Sequence, residues 1–222
     1  MLLKSVNILL ECVNRRIPKY ERGKLLTRIK QRMQKLMVSE AKLAHHVGFT
    51  PNSMSITGIL LAAFSSFMYW RWQSIHFSLI LGSLFLLASG YCDMMDGIIA
   101  RTYAQTSSFG GFMDSLLDRY ADALIFGSII LGGLCSLFWG LVALIGSLLV
   151  SYTRARAEAE GVKMETKGLA ERPERILIVA AASFLEVFQS GVLGYAVILL
   201  AALTNITVLQ RSIYFYRAIH KK

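Results

Sequence analysis

A chain of 222 residues that is 55% hydrophobic and still carries a formal net charge of +10 is too apolar for an ordinary soluble domain, and far too apolar for a disordered one. A basic excess serves nucleic acid or an anionic membrane surface. Here the apolar residues come in long blocks, which favours the membrane and leaves nucleic acid without a role. Cys12, Cys92 and Cys135 stand far apart with no CxxC pair, so neither a disulfide framework nor a zinc site is expected, only reduced, buried thiols. The short apolar stretch 2–13 runs into basic residues and not into a small-residue cleavage site, so no cleavable signal peptide is expected.

Residues 14–47 carry Arg15, Arg16, Lys19, Arg22, Lys24, Arg28, Lys30, Arg32, Lys35 and Lys42, with Leu25, Ile29, Met33, Leu36, Met37 and Leu43 at helical spacing. That pattern predicts a basic amphipathic helix lying on an anionic leaflet; a solvated helix that contacts a partner is the plainer alternative. The chain is thus expected to divide into a basic amino-terminal segment, 1–47, and a membrane domain, 48–222.

Six apolar segments follow, at about 52–72, 75–99, 109–134, 137–152, 176–189 and 193–209, each weighed against the ~20 residues a helix needs to cross a bilayer. The fourth and fifth are short, and the fifth is the least secure as a span. Gly132-Gly133 and Gly191 fall where tight turns are wanted. If the spans alternate, the amino-terminal segment, the Arg101 region, the stretch 154–175 and the His220-Lys221-Lys222 tail share one side. The other side keeps short turns of which only Arg71-Trp72 carries a basic residue. The expectation is an all-α integral membrane protein of six transmembrane helices behind an amphipathic interfacial helix, in the cell membrane with both termini cytoplasmic.

Two of these apolar segments contain aspartates. Asp93, Asp96 and Gly97 share a helical face at the end of the second, with Ala100 and Arg101 one turn on; Asp114, Asp118 and Asp122 recur every fourth residue in the third. Carboxylates at membrane depth need partners, and four converging ones cannot all be ionised without cations between them. Hard oxygen donors select Mg²⁺ or Mn²⁺ over zinc. A single Asp near a span end is ordinarily a cap or an interfacial charge, and a row of them can be a transporter's proton relay. Neither explains the small residues Gly97, Ala100, Gly110 and Gly111 beside the acids, which clear space for a bulky phosphorylated ligand.

Asp93-Met-Met-Asp96-Gly97-Ile-Ile-Ala100-Arg101, then eight residues, Gly110, three residues, Asp114, three residues and Asp118 resembles the signature of the CDP-alcohol phosphotransferase family, with all its fixed letters at the family spacing. The resemblance implies that Asp93, Asp96 and Asp114 are metal ligands, and that Asp118 both touches metal and acts as general base. Two ions ~3.5–4 Å apart suit a clamp on a pyrophosphate. By the same resemblance Gly97, Arg101 and Ser107, with Asp93, line the nucleotide and its phosphates. Thr50-Pro51-Asn52 is similar to the family's nucleotide-side contact, although Pro51 at a helix start is expected on structural grounds alone. Asp122 has no fixed family role and is read as a support or pocket residue.

Arginines crowd the predicted mouth: the runs 151–158 and 171–175 are similar to those of phosphatidylinositol-phosphate synthases and their archaeal counterparts. Guanidinium forks hold phosphate in a bidentate manner, so an acceptor that itself carries phosphate is expected. The resemblance assigns Arg154, Arg175 and Arg211 to the acceptor phosphate, with Arg211 also readable as a snorkelling interfacial residue. The expected reaction moves a phosphatidyl or archaetidyl group from CDP-diacylglycerol or CDP-archaeol to inositol 1-phosphate, with glycerol 3-phosphate as the rival acceptor, and the family implies a homodimer. A cation-coupled transporter and a membrane scaffold are the readings from other classes; only the enzyme would release CMP.

Overall fold

The computed structural model describes residues 39–44, 46–75, 77–164 and 168–220. The chain divides into two compact units, Met1–Gly48 and Phe49–Lys222. The first is described only in its last residues, where 39–44 are helical. Most of the expected amphipathic helix therefore lies outside the described residues.

The second unit is built of helices: α1 (Pro51–Trp70), α2 (Ser78–Thr102), α3 (Ser108–Leu131), α4 (Leu137–Ala159), α5 (Arg172–Glu186) and α6 (Val192–Ile219). Hydroxyl caps start three of them: Thr50 Oγ1 accepts from the Ser53 amide, Ser107 Oγ from the Gly110 amide and Ser136 Oγ from the Trp139 amide. Gly133 (φ 71°) and Gly191 (φ 94°) close the turns before α4 and α6 in left-handed conformations that other residues avoid.

Among the described residues α1, α2, α4 and α6 are long and apolar enough to cross a membrane. Helix α3 has the length, but Asp114, Asp118, Arg119 and Asp122 interrupt its apolar run. Helix α5 has 15 residues, so at 1.5 Å per residue it reaches only about 22 Å, short of a hydrocarbon core of ~30 Å.

The side-chain distribution inverts that of a soluble protein. Helix α1 buries Gly58, Ala62, Ser65 and Ser66 and exposes Ile56, Leu60, Phe64 and Phe67. A face that turns its large apolar groups outward needs an apolar solvent. Its small inward groups allow close helix contact: Ser89 Oγ donates to the Gly58 carbonyl at 2.8 Å and Ser65 Oγ to the Gly82 carbonyl at 2.7 Å, tying α1 to α2. At Gly146 a side chain would strike Thr204 and Asn205, so α4 and α6 meet there backbone to side chain. A multi-pass membrane protein follows.

Helix α1 packs on α2 and α3, α2 on α5, α3 on α4, and both α4 and α5 on α6. Tyr69, Ile125, Phe126, Ile129, Val179, Leu193, Val197 and Leu200 belong to one buried cluster. It occupies one part of the bundle; the acids collect in another, between α1, α2, α3 and the start of α5.

Candidate active site

The last turns of α2 and the first half of α3 bring their aspartates together. Ligand oxygens of Asp93, Asp114 and Asp118 all lie within 4.8 Å of one another. Asp96 is 6% exposed and lines the same cavity, where Ser55 Oγ of α1 donates to its Oδ2 at 2.6 Å. The four predicted aspartates are therefore together, three in one cluster and one steered by a hydroxyl from a third helix. The donors are hard, anionic oxygens that already draw a cation, Arg172, between two of them, and the set fits a divalent ion.

Beside the carboxylates lies an open groove of about 660 Å³. Pro51, Asn52, Gly97, Arg101 and Ser107 all line it, with Ser55, Asp96, Gly110 and Asp114, while Asp93 lies in the adjoining carboxylate cavity. Every residue expected to meet the CDP-lipid is thus at one of two adjacent hollows. Pro51 opens α1 behind the Thr50 cap and also borders the groove. The Arg101 guanidinium lies across Gly97, where an added Cβ would sit 3.2 Å from Nη1.

The arginines are arranged less simply. Arg154 is exposed and pairs with Glu158 one turn on, Nε to Oε1 at 2.9 Å. Arg211, 2% exposed, donates to the Val150 carbonyl at 2.5 Å and to Glu171 Oε1 at 3.2 Å; Arg154 and Arg175 are within electrostatic reach of it. Arg175, 3% exposed, spends its guanidinium on Asp122 Oδ2 at 2.5 Å and on the Ala170 carbonyl at 3.2 Å.

Of the 171–175 run it is Arg172 that reaches the acidic cluster. Its Nη1 pairs with Asp93 Oδ1 at 2.6 Å and with Asp118 Oδ1, and its Nε is 3.8 Å from Asp122 Oδ1. The sequence drew attention to that run but not to this member. Arg172 and Arg175 are three apart on one helix, and only the docking of α5 decides which faces the aspartates. That docking begins before the helix: the Leu169 and Ala170 amides both donate to Thr207 Oγ1 of α6, at 3.1 and 3.2 Å. Ser55 was also missed, because a serine in an apolar helix ordinarily bonds its own backbone, as this one does to the Pro51 carbonyl.

Residues 49–208 match the family model for CDP-alcohol phosphatidyltransferase. The chain belongs to that family. Like other CDP-alcohol phosphatidyltransferases it is an enzyme, and it is 40% identical to the archaetidylinositol phosphate synthase of Methanothermobacter thermautotrophicus, across 79% of this chain and 87% of that protein. The crystal structure of Mycobacterium tuberculosis phosphatidylinositol phosphate synthase with CDP-DAG bound superposes with a TM-score of 0.69 at 26% identity, covering 82% of this chain and 94% of that one. A second structure of the same synthase, in complex with manganese and citrate, gives a TM-score of 0.68 at 26% identity, over 81% and 88%.

Proposed function

We propose that this phosphatidyltransferase moves the phosphatidyl or archaetidyl group of a CDP-activated lipid onto a hydroxyl of inositol 1-phosphate, releasing CMP. The observation that carries the reading is the presence in one helical unit of three pieces of chemistry: clustered carboxylates, an open groove lined by Asn52, Gly97, Arg101 and Ser107, and a set of arginines at one end of α4, α5 and α6. The relatives named above as inositol phosphate synthases support the acceptor.

In this reading Asp93, Asp96, Asp114 and Asp118 hold two divalent ions, Mg²⁺ or Mn²⁺. Bound there, the ions supply charge neutralisation for the pyrophosphate and for the leaving phosphate. Ser55 holds the Asp96 carboxylate in one rotamer. The cytidine and its phosphates lie along the groove, over Gly97, beside Arg101 and against the amino terminus of α3, where backbone amides favour anions. Asp118 takes the proton from the acceptor hydroxyl. That oxygen then forms a bond to the lipid-bearing phosphorus as the phosphoanhydride bond to CMP breaks. Arg154 and Arg211 receive the acceptor phosphate. Arg175, neutralised by Asp122, supports Arg172, whose guanidinium stands beside the base.

We place the site on the cytoplasmic face of the cell membrane, with all six helices of the second unit crossing, both termini cytoplasmic and the enzyme a homodimer. The short α5 and the acidic α3 are tolerable as spans because Asp118, Asp122, Arg172 and Arg175 turn inward and pair there. Purified enzyme given CDP-lipid should release CMP with inositol 1-phosphate, and free inositol should not serve. Chelator should abolish turnover, and Mg²⁺ or Mn²⁺ should restore it. Release with glycerol 3-phosphate alone would keep the chemistry and overturn the acceptor, while full turnover in metal-free buffer would overturn the metal site.

A further inference from the structure

Arg172 is buried among acids, yet its Nε makes no hydrogen bond. Nη1 bridges Asp93 and Asp118. Nε is buried without a hydrogen bond and lies 3.8 Å from Asp122 Oδ1, too far for a bond and close enough that a shift of about an ångström would make one. Leaving a charged donor unsatisfied in a buried place is costly. The guanidinium is thus held at one of two acceptor sets that it can reach, and the other is within a small movement.

Asp93 and Asp118 are also the carboxylates a divalent ion would claim. A cation between them and the Arg172 head would compete for the same oxygens and repel each other. Asp122 is suited to receive the displaced group. Its Oδ2 is fixed by Arg175 at 2.5 Å, which orients Oδ1 toward Arg172. Asp122 is 8% exposed and sits one helical turn beyond Asp118 on α3, so the movement needs no backbone rearrangement.

We infer that Asp122 is a positioning residue that acts through Arg172: it accepts the Arg172 guanidinium when a divalent cation takes Asp93 and Asp118, and so lowers the cost of loading the metal. The inference rests on the proposed metal role of those carboxylates. It gives the Asp122–Arg175 pair a task beyond holding α5 on α3. The pair supplies a fixed, pre-oriented carboxylate oxygen at the distance to which Arg172 must withdraw.

The test is Mn²⁺ binding to the purified protein in detergent, without substrate, read from the resonance signal of free Mn²⁺. Arg172→Gln removes the competitor and should tighten binding by about tenfold, within the range found for groups that contact metal ligands. Arg154→Gln, which removes an equal charge away from the carboxylates, should change it less than twofold. The charge-neutral double change Asp122→Asn with Arg175→Met leaves no unpaired buried ion and should weaken binding by about tenfold. Added to Arg172→Gln, the same double change should have no effect, because its action passes through Arg172. Equal weakening in both backgrounds would overturn the inference, as would an Arg172→Gln protein that binds no more tightly than wild type. Should the double variant not fold, the contrast between Arg172→Gln and Arg154→Gln decides. Absence of any Mn²⁺ binding by wild type would instead fail the metal site itself, and CMP release by wild type tests the reaction separately.

Discussion

Asp96 differs from the other three aspartates of the motif in being tied to a hydroxyl, Ser55 Oγ at 2.6 Å. A hydrogen bond of this kind fixes which oxygen of a ligand is free and where it points. Ser55→Ala should therefore weaken Mn²⁺ binding by about 10- to 100-fold with little change in the melting temperature; unchanged affinity would leave Ser55 as a helix-packing hydroxyl only. Asp118→Asn keeps the size of the proposed base and removes its proton affinity, and turnover should fall by at least ~10²–10⁴-fold while CDP-lipid binding partly survives. Near-normal CMP release from that variant would show the proton leaving by another route. The aspartates and the groove residues could be read from the sequence because the motif fixes their spacing on two helices, and spacing on a helix is direction. Arg172 and Ser55 could not be read in this way. Each has its effect across a helix–helix contact, and no local pattern says that Ser55 will face α2 or that α5 will dock with Arg172 inward.

At the scale of the helix, α5 is the shortest of the second unit and buries a charge, Arg175, in its first turn. Its first turn is joined to α3 by the Arg175–Asp122 pair, and the segment just before it to α6 through the Thr207 hydroxyl. Breaking a buried pair from one side strands the other charge, so Arg175→Met alone should cost about 3–5 kcal/mol, and the double change with Asp122→Asn should recover most of it. Thermal melts in detergent would read both, and equal melting temperatures for the single and double variants would sink this account. The hydropathy blocks placed every helix of the second unit, because an apolar run must be helical inside a membrane. They ended two of them more than a turn early. Helix α4 continues through Thr153, Arg154 and Arg156 to Ala159, and α6 through Arg211 to Ile219, where polar residues emerge from the apolar zone but the backbone bonding continues. Those extensions carry Arg154 and Arg211, so the part of α4 and α6 that hydropathy discounts is the part that bears the arginines proposed for the acceptor phosphate.

For the whole molecule, sidedness ties charge to chemistry. The turns 71–75, 132–136 and 187–191 lie at one end of the helices, and the segments 103–107, 160–164 and 168–171 at the other, with the groove and its Arg101 at the second end. A water-soluble acceptor phosphate and the CMP product must come and go at that second end. The basic residues near it, Arg101, Arg154, Arg156, Lys163 and Arg172, are those that retention on the cytoplasmic side would select. The first end carries Arg71 alone among its turns. If α3 and α5 both cross, the two ends stay on opposite sides throughout; if α5 lay in the interface, the turn 187–191 would return to the side of 160–171. A cysteine-labelling experiment separates these outcomes. In a background with Cys12, Cys92 and Cys135 changed to alanine, Phe188→Cys, 87% exposed in the last turn, should react with a membrane-impermeant maleimide in intact cells. Lys163→Cys should react only in inverted vesicles. Reaction of both positions from the same side would remove α5 from the spans, leave four crossings before α6 and five in all, and put the carboxyl terminus on the face opposite to the active site.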